Sequence, residues 1–554
     1  VFDFKGNYFR KSATASTFGA SITHAATTNA TMVDSDGLLK WRPHNNITKS
    51  NTFSTWSKNS TIVDNAAVGP NGIANTASTV NFPSTTSYLY NLSTVAVSAG
   101  DKVTLAAWVR SDTITSLTFA TNGRTNSANN TSEANLAVTP TWTLVSFEST
   151  VAGNDTGLFF MIGKYNPASP ASQIGDLELY GAHIFRSDLG GMANNPDTNS
   201  SYVPTTNTNV YAPRRGHHVY NGSAWVNEGI LHESEARTNI CTYSNDFGNV
   251  AYLKWLPSNI TVTPNSEVSP DGTTNATKFD MASNGYTRKI TGHVPSVGQT
   301  YTFSVWIKAG TASEVKTALL FSGGGLGYTE LTHTLTNEWQ RFSITTTLTS
   351  GTPDQVRARF VATQAGTIFV YGAQMEQGAT PSSYIPTGSS TVTRAAETLT
   401  VPAANLPYDS TNMSIQMDGK MTYADTGQLY EVAHYFWNLS SSNRIISALQ
   451  TSGSFTGKQL FEQRGAGEID SVTGTNTDYS PDINVPFNIA SRHGSTFING
   501  AHEGTLLTAN TTPTILPDLS ATDLLLGSTF MGTIGQFRMW SDDLGDVGIT
   551  EAST

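Results

Sequence analysis

Four tyrosines, Tyr88, Tyr90, Tyr286 and Tyr328, carry the side chains that suit sugar binding. Aromatic rings stack on pyranose faces, and amides or carboxylates beside them bond the hydroxyl groups. All four lie outside the residues that recur along this chain, so the packing of a shared framework does not account for them. We therefore predict them as carbohydrate-binding residues. The competing interpretation is that each is an ordinary surface aromatic residue.

A second candidate is the acidic stretch with Glu468 and Asp470, followed by Thr473. Paired carboxylates act as nucleophile and acid/base in retaining glycoside hydrolysis, and we expect the period of a strand to bring all three positions to one face. Catalysis needs a carboxylic acid at the third position, and threonine cannot protonate a leaving group near neutral pH. The sequence therefore predicts no catalytic residue, and a polysaccharide depolymerase is kept as the alternative function.

Three other motifs have structural interpretations. His217 and His218 are adjacent, and adjacent strand residues point to opposite faces, so we expect a polar connector rather than a metal site. The glycine-rich run 323–327 has no helix pattern after it, which favours a flexible hairpin or bulge over a phosphate loop. Cys241 is the single cysteine, which excludes an intramolecular disulfide framework, and a packing role is favoured over a nucleophile.

The framework that positions these residues occurs twice. A strand pattern around Trp108 recurs around Trp306, a whole domain length later, so each copy is a domain and not a solenoid unit. Asn46 precedes the first copy's opening strand as Asn239 precedes the second's. Further matching segments are Tyr180–Ala182 and Tyr371–Ala373, and Ser201–Thr205 and Ser383–Thr387.

Periodicity and composition indicate a nearly all-β protein. Phe303, Val305 and Ile307 alternate with polar residues, as on a strand with one buried face. Turn signals recur about every 8–12 residues, which favours sandwiches over helices. Charged residues make up only 13% of the chain, and abundant Thr, Ser, Asn and Gly suit sheet surfaces and turns.

The repeat sets the predicted domain boundaries. They are an N-terminal segment at 1–45, a first jelly roll at 46–206, a connector at 207–238, a second jelly roll at 239–390 and a third unit, matching neither copy, at 391–554.

Charge and hydropathy exclude several classes of function. The net charge is -11 and no basic run occurs, so nucleic-acid binding is not expected. The chain has no stretch of about 18 apolar residues, so no membrane span is expected. The chain starts at Val1 without methionine or a signal-peptide pattern, so we expect the N-terminus to be processed or truncated.

The sequence resembles bacteriophage virion structural proteins. The segments that carry this resemblance are Asp36–Leu39, Glu233–Ile240, Ser244–Phe247 with Trp255, Ser269–Gly272 and Tyr371–Glu376. In such proteins this module is a jelly roll like a carbohydrate-binding module. The third unit resembles a laminin-G or concanavalin-type sandwich, through Phe487–Ala490, Phe497–Gly500, Leu525–Gly527 and Gly532–Trp540.

This resemblance implies an all-β chain of two tandem jelly-roll β-sandwiches followed by a concanavalin/laminin-G-like β-sandwich. It implies a virion surface protein, a tail or head fibre or spike, that binds host cell-surface glycans. The expected partners are other virion proteins and host polysaccharide, and a homotrimer would make weak sites multivalent. Jelly rolls of this type often hold a structural Ca²⁺, for which Asp271 or Glu376 could serve; no other cofactor is expected. A purely structural decoration of the capsid or tail is the third alternative.

Overall fold

The computed structural model describes residues 1–11, 14–127, 130–164, 174–248, 255–323, 327–422, 434–440, 442–450, 457–474 and 485–554. These residues form 41 β-strands, two short α-helices and two 3-10 turns. The prediction of an all-β protein built from β-sandwiches is therefore confirmed. The chain divides into two compact units, residues 39–212 and residues 1–38 together with 213–554.

The N-terminal segment is a series of short elements. They are β1 Phe2–Asp3, β2 Tyr8–Lys11, β3 Thr14–Ser16, α1 Phe18–Ser21, β4 Thr23–Ala25 and β5 Thr31–Val33.

The first unit, which we call module one, is a single β-sandwich. Its strands are β6 Leu39–Trp41, β7 His44–Asn45, β8 Ser57–Lys58, β9 Thr61–Ala67, β10 Ala77–Phe82, β11 Tyr88–Ser93, β12 Lys102–Arg110, β13 Ser116–Gly123, β14 Ser132–Ala137, β15 Thr143–Thr150, β16 Leu158–Gly163, β17 Gly175–Arg186 and β18 Val210–Tyr211. One antiparallel sheet has the order β15-β12-β17-β10-β9, and the other has the order β14-β13-β16-β11-β8. Alternate residues of each strand, such as Leu105 and Val109 of β12, fill the core between the two sheets.

Module two is the second sandwich, and its strands follow those of the connector. The elements are β19 Arg214–Tyr220, β20 Trp225–Glu233, β21 Arg237–Asn239, β22 Trp255–Val268, β23 Thr274–Ile290, β24 Thr300–Ala309, β25 Glu314–Ser322, β26 Thr329–Thr334, β27 Gln340–Thr347, β28 Gln355–Ala362, β29 Gly366–Gln377 and β30 Val392–Arg394. The long strand β23 belongs to both sheets, because its first half pairs with β29 and its second half with β28. The order β26-β25-β28-β23-β22 therefore repeats the second sheet of module one.

The third sandwich completes the chain. Its elements are β31 Thr398–Val401, β32 Asn412–Met421, β33 His434–Ser440, β34 Arg444–Leu449, β35 Gln459–Gly465, β36 Glu468–Thr473, β37 Val485–Gly494, β38 Ile498–His502, β39 Thr505–Leu506, β40 Leu524–Leu526, β41 Met531–Trp540 and α2 Gly545–Ala552. Strands from elsewhere extend both of its sheets, since β1 and β20 pair with β41, and β4 pairs with β31. Its core accordingly contains Phe2, Phe9 and Ile230.

Candidate functional site

One buried asparagine holds the ends of each module together. Asn45 donates to two backbone carbonyls and accepts from two backbone amides of module one. Asn239 makes the same four bonds in module two. These bonds equate Asn239 with Asn45, so the expected match with Asn46 was wrong by one residue. The two modules can therefore be compared position by position.

In module one, the predicted residues Tyr88 and Tyr90 lie side by side on one face of β11. Leu89, between them, points into the core and is fully buried. The two tyrosine rings are stacked, with centroids 5.9 Å apart and planes at 26°. The Tyr90 ring also meets Phe159 of β16 edge-on at 5.6 Å. We call this surface, with Met161 beside it, the tyrosine face.

In module two, the predicted residues Tyr286 and Tyr328 meet around Arg359 of β28. The guanidinium carbon of Arg359 lies 4.1 Å from the ring centroid of Tyr286 and 5.1 Å from that of Tyr328. Both distances are within the range of a cation–π interaction. Arg288 stands directly opposite Arg359 in the strand register, and Arg357 lies two residues along the same strand. We call this surface the arginine face.

Trp56 packs on Phe53 as Trp255 packs on Phe247, and the residue after each tryptophan pairs with Tyr90 and Arg288 respectively. The two faces therefore occupy the same place in the framework. Across β11, β16, β13 and β14, one row of module one reads Tyr90, Met161, Ala120, Glu133. Across β23, β28, β25 and β26, the matching row of module two reads Arg288, Arg359, Ala318, Glu330. The aromatic surface of one module and the cationic surface of the other are therefore alternative occupants of one structural position.

The sequence analysis did not identify the three arginines. The alternation of Arg357 and Arg359 with buried Val356, Ala358 and Phe360 marks an outward polar face, and that signal is readable from the chain alone. The alternation does not reveal which strands pair with β28. The neighbouring cation Lys316 is paired, because its Nζ lies 3.1 Å from a carboxylate oxygen of Glu330 at the edge of the sheet.

The recurring tryptophans pack on the other sheet of each module. Trp306 meets the rings of Tyr371 and Tyr384, with centroids 6.1 and 5.4 Å apart. A Cβ on Gly372, whose φ is +63°, would lie 3.0 Å from the Trp306 ring, so the glycine allows this close approach. Trp108 makes the equivalent contacts in module one. Both indoles are half-buried and lie outside the hydrophobic cores.

The carboxylates of Asp271 and Glu376, the candidates for a calcium ligand, both accept hydrogen bonds from other residues of the chain. Asp271 accepts from the amide and hydroxyl of Thr273 and, at 2.9 Å, from the hydroxyl of Tyr371. Glu376 accepts from the amide and hydroxyl of Ser382 at 2.9 and 2.7 Å. Within the described ranges, no group of three or more His, Cys, Asp or Glu side chains could hold a metal ion.

The acidic stretch of β36 does not assemble a catalytic face. Strands β35 and β36 pair without a register shift, so Thr473 lies on the face opposite to Glu468 and Asp470. The expectation that all three share a face was therefore wrong, because five residues is an odd number of steps along a regular strand. Asp470 is buried and accepts the amide of Thr514 at 2.7 Å, while Glu468 is exposed.

The paired histidines serve the connector. The buried Nδ1 of His217 bonds the amide of Val33 at 3.1 Å, and burial together with the nearby Arg214 lowers the pKa of His217 to about 3. The ring of His218 bonds the carbonyl of Gly216 at 2.9 Å. The ring of His217 therefore joins the connector to the N-terminal segment, and the ring of His218 bonds the backbone of the connector itself. Of the predicted glycine-rich hairpin, residues 324–326 lie outside the described residues.

Cys241 occupies the position that Ile47 has in module one. Its amide bonds the Asn239 side chain, as the amide of Ile47 bonds Asn45. The thiol is fully buried, and burial raises its pKa to about 11. It is therefore a packed, unreactive side chain.

A buried ion cluster, which sequence analysis missed, joins the connector to module two and the third sandwich. Arg214 lies 2.8 Å from Glu233 and 2.7 Å from Glu397, and Arg394 lies 3.0 Å from Glu233. Burial alone would raise the pKa of Glu233, but the two guanidinium groups lower it to about 2. Glu233 also accepts the amide and hydroxyl of Ser383, where module two ends. Each charged side chain of the cluster is paired with an opposite charge of the protein, so we assign it a structural role.

No family model and no curated protein matches the chain. Among solved structures, the enzymatically active domain of tailspike protein 4 of bacteriophage CBA120 is 11% identical, with a TM-score of 0.22 over 25% of this chain and 21% of that one. The tandem CBM22-1-CBM22-2 domain of Paenibacillus barcinonensis Xyn10C is 10% identical, with a TM-score of 0.22 over 64% of this chain and 100% of that one. Domains LG4-5 of the mouse laminin alpha1 chain are 11% identical, with a TM-score of 0.18 over 47% and 87%. At these scores the likenesses assign no function. Searching the described helices for one long and apolar enough to cross a membrane finds none.

Proposed function

We propose that this chain binds glycans through the outer sheet faces of its tandem sandwiches, and that it does so as a fibre or spike on the surface of a phage particle. The observation that carries the glycan-binding proposal is the pairing of the predicted tyrosines. Tyr88 stacks on Tyr90 in module one, and Tyr286 and Tyr328 enclose one guanidinium in module two.

The chemistry of these faces suits saccharides better than other ligands. Pyranose rings present flat apolar faces that stack on aromatic rings, with hydroxyl groups around the edge. Tyr88 and Tyr90 stand on β11 and Tyr286 on β23, and ring contacts with Phe159 and Arg359 already restrict the side chains of both pairs. Ordering them on binding therefore costs little entropy. Glu133 and Glu330, at the end of the equivalent rows, supply hydrogen-bond acceptors for hydroxyl groups.

Shallow faces of this kind bind weakly, and display on a particle compensates for that. A dissociation constant of about 1 mM corresponds to only about 4 kcal/mol, whereas several linked sites raise the avidity by about 100-fold or more. Two faces per chain and a trimeric assembly fit this requirement. The virion location and the trimer rest on the sequence resemblance.

Binding is tested with the full chain on an array of bacterial surface polysaccharides, followed by calorimetry on the best ligand. We expect Tyr88→Ala and Tyr90→Ala to weaken binding by about threefold to tenfold, because each removes one stacking ring. Tyr8→Ala is the control, since Tyr8 is 44% exposed and lies in the N-terminal segment. Absence of any glycan ligand, or full binding by both variants, would favour a purely structural decoration.

The location and the reaction class need separate measurements. Gold-labelled antibodies against the chain should decorate the tail or head of intact particles, and light scattering should give the mass of a trimer. Incubation with the bound polysaccharide should release no new reducing ends and no unsaturated sugar. Release of either would replace the attachment proposal with a depolymerase.

A further inference from the structure

We infer that the arginine face of module two takes an anionic saccharide, one that carries carboxylate groups such as uronic acids. This inference rests on the proposed glycan binding and names the ligand class of one of its two faces. Three cations, Arg288, Arg357 and Arg359, lie there beside two aromatic rings.

The side chains of the three arginines have no ionic or hydrogen-bond partner within the part of the chain that the structure describes. None of them lies within 4.0 Å of a carboxylate or makes a hydrogen bond, and the Nε atoms of Arg357 and Arg359 are buried without an acceptor. Arg110 of module one, which also lies on a strand, is by contrast paired with Glu178 at 2.7 Å. The chain has 42 acidic residues against 31 basic ones, but the one acid in the row of Arg288 and Arg359 is Glu330, which is paired with Lys316.

The register places like charges against each other. Arg288 and Arg359 are directly opposed on neighbouring antiparallel strands, which puts their Cα atoms about 5 Å apart. Arg357 lies about 7 Å further along β28 on the same face. Like charges in opposed positions destabilise a sheet. An anion bound between the guanidinium groups would remove that repulsion.

The aromatic rings hold the central guanidinium ready for such an anion. Tyr286 and Tyr328 both lie within cation–π distance of Arg359 and offer it no carboxylate. Its planar N–H donors match the two oxygens of a carboxylate. A tyrosine ring beside a guanidinium thus offers one surface for a sugar ring and another for its acidic group.

Module one shows that the sandwich does not need these charges. Tyr90 and Met161 fill the places of Arg288 and Arg359, and Phe159 stands where Arg357 does. The same sheet therefore forms with uncharged side chains in all three positions. The cations of module two are accordingly explained by a ligand and not by the fold.

The test measures binding of the full chain to polygalacturonate, dextran sulfate, neutral dextran and single-stranded DNA at physiological ionic strength. We expect Arg359→Gln and Arg357→Gln each to weaken polygalacturonate binding by about tenfold, because each removes a charge-assisted contact. The matched control is Lys278→Gln, which removes one positive charge from the other sheet of module two and should leave binding unchanged.

Tighter binding to dextran sulfate, lost in the same variants, would support the anionic saccharide and name sulfate as its acidic group. Equal affinity for DNA would overturn the inference in favour of a general polyanion surface. Binding of a neutral glycan through Tyr88 and Tyr90, without polygalacturonate or dextran sulfate binding, would overturn it while sparing the proposed function. Absence of any polysaccharide ligand would overturn both.

Thermal unfolding in the absence of ligand distinguishes a ligand-binding role of the three arginines from a structural role. If the three cations are there for a ligand, Arg288→Gln and Arg359→Gln should keep or raise the melting temperature of module two, because the cross-strand repulsion falls. A lower melting temperature with unchanged polygalacturonate binding would overturn the inference. Arg357 is not part of the opposed pair, so Arg357→Gln carries the binding test if Arg359→Gln does not fold.

Discussion

Module one and module two have one sheet order and one set of hydrogen-bonding asparagines, but their matching faces differ in chemistry. The tyrosine face stacks Tyr88 on Tyr90 beside a buried methionine, Met161. The arginine face opposes Arg288 to Arg359 at the equivalent strand positions. After duplication, one copy therefore carries apolar contacts where the other carries unpaired charge.

The comparison separates residues that hold the fold from residues that face a ligand. The framework residues repeat almost without change, as Ser50 bonding Tyr202 and Ser244 bonding Tyr384, both at 2.8 Å, illustrate. On the outward face of the second sheet, Ala120 and Glu133 repeat as Ala318 and Glu330, but arginines replace Tyr90 and Met161. Where a fold tolerates either an apolar ring or a guanidinium group at one place, binding is the property left to distinguish them.

The largest expected effect tests the shared framework. Asn45→Ala and Asn239→Ala each leave two buried carbonyls and two buried amides without their partner, which should cost about 3–5 kcal/mol in the free energy of unfolding of the mutated module. Urea denaturation of the full chain measures both transitions. Asn81→Ala is the control, since Asn81 is exposed, and it should cost less than about 0.5 kcal/mol. Unequal losses in the two modules would contradict their equivalence.

The second prediction exchanges residues between the faces. Met161→Arg should destabilise module one by about 2–4 kcal/mol, because Met161 is only 2% exposed and an arginine there would bury a charge. The reciprocal change Arg359→Met should cost nothing or gain up to about 1 kcal/mol, since it relieves cross-strand repulsion. Denaturation curves of both variants measure these two changes in stability. A loss of similar size in both would show that the arginine is structural.

Much of the fold follows from residues that are close in sequence. Alternation around Trp108 and Trp306 predicts strands, and the repeated Tyr-Gly-Ala segments predict that the two copies share an architecture. Short-range patterns succeed here because a buried sheet face imposes a period of two on every strand. The same local rule also gives the correct face of Thr473, which lies five steps, an odd number, from Glu468; the expectation of a shared face misapplied it.

The candidate site was only half predictable, because residue type can be read locally but the pairing of distant strands cannot. Tyr286 and Tyr328 could be chosen by residue type, but their meeting around Arg359 depends on three strands that pair across long stretches of chain. The opposition of Arg288 to Arg359 is a property of register, which no local pattern reports. The buried cluster of Arg214 and its two glutamates was missed likewise, because its members lie far apart in sequence.

The two modules should also differ, to a smaller extent, in how acidic pH affects their stability. Burial alone would raise the pKa of Asp155 in module one, but hydrogen bonds from Thr125, Asn130 and Asn126 lower it from 3.8 to about 2. The folded state thus favours the carboxylate, which stabilises module one above pH 3.8 and ceases to do so as the pH falls through about 2. In module two the corresponding loop carries the exposed Asp354.

Denaturation as a function of pH tests this difference. Asp155→Asn should lower the free energy of unfolding of module one near neutral pH and bring it close to that of the unmodified chain near pH 2. The difference between the two chains should therefore shrink mainly between about pH 4 and pH 2. A difference that stays constant over this range would show that Asp155 is not ionised preferentially in the folded state.

The smallest expected effect concerns Cys241, whose rate of labelling by a thiol reagent reports on module two alone. The thiol is fully buried and its pKa is raised to about 11, so a thiol reagent at pH 8 should label it only when module two opens. Cys241→Val should cost less than about 1 kcal/mol, because a buried cysteine behaves as a small apolar residue. Asn239→Ala should speed labelling, whereas Asn45→Ala should not, since the two modules have separate cores. Faster labelling in Asn45→Ala would mean that the duplicated sandwiches unfold together, and their faces would then have to be compared within one cooperative unit.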